Sequence, residues 1–271
     1  MEDKESITIR KAVINQAINY IFEHIDEDIM VEDVAKYCSY SKYHLTRMFK
    51  EDTDEALYQF IKRVRLERSA WRLKVEKERS ITEIGETYGY SSSNFATAFK
   101  KHLDISPADY RRSSEQMVKD SSFSHGMTLD GLDDAGSKIT VEYLAPFTVL
   151  YERKKGNYHN LSDEWCDFIE KYKYLATKDT LYIDCTIDDP SITDEDGCMY
   201  ELCQTVIPDH PVLKDHPEIL LHDFEGGKYA VYHFKGVPQL LLWYIRRFFA
   251  DGCLRQEMSW MSDRLLIFIG R

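Results

Sequence analysis

The sequence has little that would hold it together covalently or anchor it in a bilayer. Its six cysteines (Cys38, Cys166, Cys185, Cys198, Cys203 and Cys253) make no CxxC pair. A zinc ribbon or a dithiol redox motif is therefore not indicated, and reduced thiols in or near cores are expected. No run of about 18 consecutive apolar residues exists, so no segment reads as a membrane-spanning helix. The charged start MEDKESITIRK has no apolar region behind it and does not read as a secretion signal. A cytoplasmic chain that does not engage a membrane is the expectation. With only 7 Pro and 12 Gly in 271 residues, 43% of them apolar, it is not a low-complexity protein. There is no G-x-S-x-G, no P-loop and no GxGxxG; Gly226-Gly227 alone reads as a strand-entry turn. His210, His216 and His222 stand six apart among Pro208, Pro211 and Pro217, a spacing that suits a loop better than a metal site. No metal, no cofactor and no catalytic centre is expected.

Acid is in excess, at a net charge of −12, but unevenly. Residues 1–112 hold 19 basic against 20 acidic residues; residues 113–271 hold 16 against 27. Within the first part Lys62, Arg63, Arg65, Arg68, Arg72, Lys74, Lys77 and Arg79 cluster against only Glu67, Glu76 and Glu78. Affinity for phosphates follows such a local patch rather than the sum over the chain.

The strongest internal signal is a repeat with a period of 50 residues. Val31, Val34, Ala35, Tyr40, Ser41, Leu45, Phe49 and Lys50 recur as Ile81, Ile84, Gly85, Tyr90, Ser91, Phe95, Phe99 and Lys100. Each copy reads as a short amphipathic helix, a turn, and a second helix opened by serine. Ala35 and Gly85 permit close helix crossing, and Gly89 suits a left-handed turn residue. Ser80 with Glu83 makes a capping box, and Ser106-Pro107 opens a closing helix. An amphipathic helix at Ile14–Ile25 precedes the repeat, and a basic helix at about 57–74 bridges the copies.

Such a unit reads DNA by turning one stripe of its second helix inward and offering the other to the major groove. Leu45, Met48 and Phe49 form the inward stripe. Lys42, Tyr43, Thr46, Arg47 and Lys50 share the outward face, where Arg47 has the two donors that match guanine O6 and N7. Arg68 on the bridging helix is expected to meet phosphate.

The stretch Ile29–Arg112 resembles the AraC/XylS DNA-binding domain. SYSKYHLTRMFKE, LYQFIKRVRLERSAWRL and ITEIGETYGYSSSNFATAFKKHLDISPADYRR carry the resemblance. It implies that Tyr43, Thr46 and Arg47 enter one major groove while Ser93, Asn94 and Thr97 lie at the next. Met30 departs from the family pattern, standing where a capping Ser or Thr is usual, and Thr97 replaces a frequent Arg.

Residues 113–137 are polar, rich in Ser, Asp and Gly, and read as a linker between a domain at 1–112 and one at 138–271. Beyond it ITVEY, TVLYER, YAVYHF and LLIFI read as strands. VLYERKKG with Trp165 and AVYHFKG with Trp243 look like two copies of a strand, a glycine turn and a helix. The fold class expected is thus an all-α double helix-turn-helix followed by an α+β domain of duplicated strand–helix units. Over roughly 138–269 this half is similar to the GyrI-like effector-binding domain. The resemblance implies a groove for lipophilic, often cationic, small molecules with aromatic walls and a carboxylate. The candidates are Tyr151, Trp165, Tyr200, Glu201, Trp243, Glu257 and Ser259; Ser259 stands where that family commonly carries its groove Glu. Glu257, two residues away and so on the same face of a strand, could supply the carboxylate; the alternatives are a solvated Glu257 in a domain that takes neutral or larger ligands, and Glu201 as a reserve carboxylate.

The expected partners are double-stranded DNA with an asymmetric operator, a small-molecule effector and RNA polymerase, for a chain acting as a monomer. Two other readings stay open: a hydrolase of small electrophiles using Glu201 and Tyr200, and a protein-binding module.

Overall fold

The computed structural model describes residues 4–121, 139–156, 160–188, 192–216, 218–232 and 265–269. The chain divides into two compact units, Met1–Glu115 and Gln116–Arg271.

The first unit is entirely helical: α1 (Lys4–Glu23), α2 (Val31–Tyr37), α3 (Lys42–Thr53), α4 (Leu57–Val75), α5 (Ile81–Thr87), α6 (Ser92–Leu103) and α7 (Pro107–Ser121). Its core is the apolar set of the repeat. Val34, Leu45 and Phe49 are buried in one copy and Ile84, Phe95 and Phe99 in the other. α1 adds Ile14, Ala17, Ile18 and Ile21, and α4 adds Leu57, Phe60, Val64 and Leu73. The bridging helix packs on both copies because its apolar residues face more than one side. α7 continues to Ser121, nine residues past the boundary expected at 112, so the polar stretch begins as helix.

Local chemistry repeats with the same period. The turn residues Ser39 and Gly89 both take left-handed backbone, at φ 60° and 76°. Asp54 and Asp104, which end α3 and α6, do so at φ 60° and 57°, where a short polar side chain is tolerated. Ser80 Oγ accepts from the Glu83 amide at 3.1 Å while the Glu83 carboxylate accepts from the Ser80 amide at 2.8 Å. Met30 has no polar side chain for this role. Asp33 supplies half of the box, accepting from the Met30 amide at 2.8 Å, so α2 begins without Ser or Thr. Ser106 Oγ accepts from the Asp109 amide at 3.1 Å and opens α7 ahead of Pro107.

The second unit is α+β. β1 (Ile139–Leu144) pairs antiparallel with β6 (Gly227–Tyr232). β2 (Phe147–Lys155), β3 (Tyr182–Thr186), β4 (Met199–Val206), β5 (Leu220–Phe224) and β7 (Leu265–Ile269) form an antiparallel sheet in the order β5-β2-β4-β3-β7. α8 (Leu161–Tyr172) covers one face of that sheet. Its Trp165 ring packs edge-on to Tyr182 on β3, and the Tyr172 hydroxyl donates to Glu152 on β2 at 3.0 Å. Of the two strand–helix copies expected, the first is realised as β2 followed by α8; of the second, β6 is described and the segment with Trp243 lies outside the described residues. The four sequence-read strands appear as β1, β2, β6 and β7. Among the cysteines, Cys38, Cys185, Cys198 and Cys203 are buried, whereas Cys166 on α8 is exposed. Burial pushes the Cys38 thiol up to about 11 and leaves it unreactive.

α5 and α6 approach closely at Gly85. A Cβ there would stand 2.8 Å from the Phe95 ring, inside the core, whereas the equivalent Ala35 already carries one. Gly85→Ala is expected to destabilise the helical unit by roughly 1–3 kcal/mol, the usual cost of overpacking. A thermal melt of this variant that matches the parent chain would refute the tight crossing.

Candidate functional site

α3 presents the surface expected of a reading helix. Leu45, Met48 and Phe49 are buried, and Lys42, Tyr43, Arg47 and Lys50 are exposed. Tyr43 is 79% exposed, the highest value among the large apolar side chains described. Among the described residues Arg47 pairs with Glu51, at 3.8 Å on the exposed face, a contact that groove binding can replace. Lys42 is held by Glu32 at 2.6 Å, also on the surface. Thr46 departs from the expected outward stripe: it is half-buried, and its Oγ1 is buried without a hydrogen-bond partner among the described residues.

On α6, Ser93, Asn94 and Thr97 are exposed, and Phe95 and Phe99 face the core. The Thr97 hydroxyl donates to the Ser93 carbonyl at 3.0 Å, so it bonds to its own helix. Asn94 retains a side chain able to donate and accept toward a base.

The basic cluster of the bridging region does not form the phosphate-facing patch expected of it. Arg68 is buried, its guanidinium 5.5 Å over the Phe22 ring of α1, which corrects its expected role at phosphate. Arg63 is paired with Glu55 at 3.2 Å and Glu67 at 2.9 Å. Arg72 and Arg79 converge on Glu76, at 2.6 and 3.0 Å. Lys74 is buried beside Trp71, and Lys77 donates to Ser114. Arg65 donates through Nη2 to the carbonyls of Glu27 and Ile29, both at 3.0 Å. Sequence clustering could not reveal this, because each partner except Glu67, Trp71 and Glu76 comes from outside α4 and the turn that follows it.

In the second unit, strand alternation divides the proposed ligand residues. Tyr151 on β2 and Glu201 on β4 share one face of the sheet with Val149, Ile183, Cys185, Cys203 and Phe224. Tyr200 lies on the other face, beneath α8, where its hydroxyl donates to Glu164 at 2.6 Å. Burial and that carboxylate raise the Tyr200 phenol. Trp165 is buried on α8 on the same side. Glu201 and Tyr200 therefore point apart and cannot act together, which removes the basis of the hydrolase reading. Trp243, Glu257 and Ser259 lie outside the described residues.

Glu201 is matched by a residue the sequence reading passed over. Arg153, two positions after Tyr151 on the same face, donates to Glu201 through Nε at 3.1 Å and also through Nη2. Both side chains are buried, and the guanidinium sits 5.5 Å over the Tyr151 ring. A buried carboxylate so paired is neutralised, and breaking such a pair from one side is costly, at about 3–5 kcal/mol. His222 on β5 stands edge-on to both Tyr151 and Phe224, so it belongs to this aromatic face rather than to a histidine-bearing loop. His210 instead caps α9 (Pro211–Asp215), and His216 pairs with Glu218.

Residues 34–113 match the family model of a helix-turn-helix domain, and residues 137–250 that of a GyrI-like small molecule binding domain. Transcriptional regulator Rob of Salmonella typhimurium is 38% identical over 104 residues, which is 38% of this chain and 36% of that protein. Regulatory protein SoxS of Escherichia coli is 38% identical over 100 residues, 36% of this chain but 92% of that protein. The chain belongs to the AraC/XylS family of transcription regulators. It spans about a third of the length of Rob and nearly all of SoxS. The C-terminal domain of AraT, a response regulator from Geobacillus stearothermophilus, is 34% identical in a comparison covering 37% of this chain and 84% of that one, with a TM-score of 0.36. The helix-turn-helix match includes α3 and α6, and the GyrI-like match includes β2, α8 and β4.

Beneath α8 lies one further ionisable group, Asp184 on β3, fully buried. Burial pushes its carboxyl up to about 7. The Thr186 hydroxyl and the Trp165 indole favour the charged form but do not offset burial, and Glu164 and Glu201 oppose it. Neither Asp184 Oδ2 nor Trp165 Nε1 makes a hydrogen bond of normal geometry among the described residues. The fold thus favours the protonated carboxyl. The contribution of Asp184 to the stability of the second unit is most favourable below the unfolded value of about 4, falls as pH rises, and levels off above about 7. The expected slope reaches about 1.4 kcal/mol per pH unit within that window. Asp184→Asn should remove it: the difference in urea unfolding free energy between variant and parent should grow in favour of the variant from pH 4 to 7. A constant difference would show that Asp184 does not hold a proton in the fold.

Proposed function

We propose that the chain is a ligand-responsive transcription regulator. In this reading residues 1–112 bind DNA, 113–137 connect, and 138–271 sense a lipophilic small molecule. The observation that carries it is the 50-residue repeat built as two helix-turn-helix units, each with an exposed polar face on its second helix. Arg47 reads a guanine from α3, flanked by Lys42, Tyr43 and Lys50, with Thr46 at the edge of the contact. Asn94, with Ser93 and Thr97, reads the next groove with less discrimination because α6 offers no Arg or Lys before Lys100. One chain supplies both reading helices, so it acts as a monomer on an asymmetric site, with RNA polymerase as the partner through which it regulates in the cytoplasm.

The sensing face is the aromatic side of the sheet, with Tyr151 and His222. Because Glu201 is held by Arg153, the charge of a cationic ligand falls to Glu257. The chain is not an enzyme in this reading: Tyr200 and Glu201 face opposite ways, and the ligand is returned unchanged, which mass spectrometry of the recovered compound checks.

For DNA, Arg47→Ala is expected to cost roughly 1–3 kcal/mol on a duplex selected by the parent chain and to relax preference at one base pair. Asn94→Ala should relax it less. Equal losses of Arg47→Ala on selected and scrambled duplexes would remove it as a base reader. The mass of the complex should correspond to one chain per duplex. For the ligand, a lipophilic cationic dye should bind the full chain and lose roughly 1–2 kcal/mol on Glu257→Gln; a dye that binds both equally excludes Glu257.

A further inference from the structure

The bases of the bridging helix sort into two sets. One set is consumed inside the unit by carboxylates, carbonyls and rings, as described above. Lys62 is different: among the described residues it has no carboxylate partner, and it faces a cleft of about 370 Å³ between α4 and α6. The cleft is walled by one face of each helix. Tyr58, Lys62 and Arg65 come from α4, and Asn94, Thr97 and Lys101 from α6, each set at three-, four- or seven-residue spacing. The Tyr88-Gly89-Tyr90 turn completes it. Lys101 also has no carboxylate partner among the described residues.

No acidic residue is among those lining this cleft. Tyr58 is 62% exposed at the rim and carries a hydroxyl donor. Asn94 and Thr97 belong both to the cleft wall and to the proposed base-reading face of α6, so the cleft opens beside the second groove. α4 is 19 residues long, about 28 Å at 1.5 Å per residue, comparable with the spacing of about 34 Å between successive major-groove faces. A duplex read by both α3 and α6 must carry a sugar–phosphate strand across the span between them.

We propose that this cleft seats that strand, with Lys62 and Lys101 neutralising phosphates and the Tyr58 hydroxyl donating to a phosphate oxygen. The assignment rests on the DNA-binding reading above. It moves the backbone contact of the bridging helix from Arg68, which is buried, to Lys62.

The test is a salt titration of full-chain binding to a duplex selected by the parent and to a scrambled duplex. Lys62→Gln and Lys101→Gln should each weaken binding to both duplexes by the same factor. Each should lower the slope of log affinity against log salt by about 0.9, and the double variant by about 1.8. Tyr58→Phe should weaken both duplexes by about two- to tenfold with the slope unchanged, because it removes a neutral donor. Unfolding curves of the lysine variants should match the parent, since neither side chain makes an ion pair among the described residues. A parent that binds DNA with a slope untouched by the double variant overturns the cleft alone. Loss confined to the selected duplex would make these residues base readers and overturn it equally. A parent that binds neither duplex overturns the DNA-binding reading, and the cleft assignment falls with it.

Discussion

The arrangement of the two reading helices depends on the guanidinium groups of the helix that bridges them. On α4, Arg72 donates to the Tyr88 hydroxyl in the second copy at 3.4 Å, and Arg65, from the middle of the same helix, donates to the carbonyls of Glu27 and Ile29 ahead of α2. One helix therefore carries polar bonds toward both helix-turn-helix copies. Arg suits this role because its planar fork serves carbonyls without giving up its charge, whereas a lysine ammonium would reach them as a single point. The apolar core holds each copy together, but apolar contact is non-directional. Polar bonds with defined geometry restrict the rotation of one copy against the other, and so the direction in which α3 and α6 face.

The same economy governs charge in the second unit. A strand buried on both faces has nowhere to put a polar side chain except against another, and β4 carries Tyr200, Glu201 and Gln204 in a run buried from Met199 to Gln204. Each meets a partner on its own side: Tyr200 meets Glu164, Glu201 meets Arg153, and Gln204 donates to the Tyr172 carbonyl at 3.4 Å. On β3, Asp184 accepts from the Thr186 hydroxyl at 3.4 Å, and burial keeps a proton on its carboxyl to near neutrality. On the aromatic face the Arg153 guanidinium lies over the Tyr151 ring and neutralises the Glu201 carboxylate, so the charge on that face is already internally paired.

Features encoded over a few residues were legible without coordinates. The capping box at Ser80 and Glu83, the left-handed Gly89, the N-cap at Ser106 and the inward stripes of α3 and α6 depend on spacing within one or two turns, and spacing is written in the chain. The repeat strengthened each of them, because Ser39 and Gly89, or Asp54 and Asp104, answer the same local problem twice. β1, β2, β6 and β7 were legible as runs of β-branched and aromatic residues. β3 and β4 were not, since central strands lack the polar–apolar alternation that marks a half-exposed one.

The sequence by itself determined the family, the two-part organisation and the outward placement of Arg47, all of which follow from local pattern and its repetition. Only the tertiary structure decided where each charge goes. It showed that Arg68 lies over Phe22, that Arg153 holds Glu201, and that Tyr200 and Glu201 face opposite ways. It also left Lys62 and Lys101 together in a cleft without acid. The physical reason is that electrostatic pairing acts through space between residues distant in the chain, and composition counts charges without locating their partners.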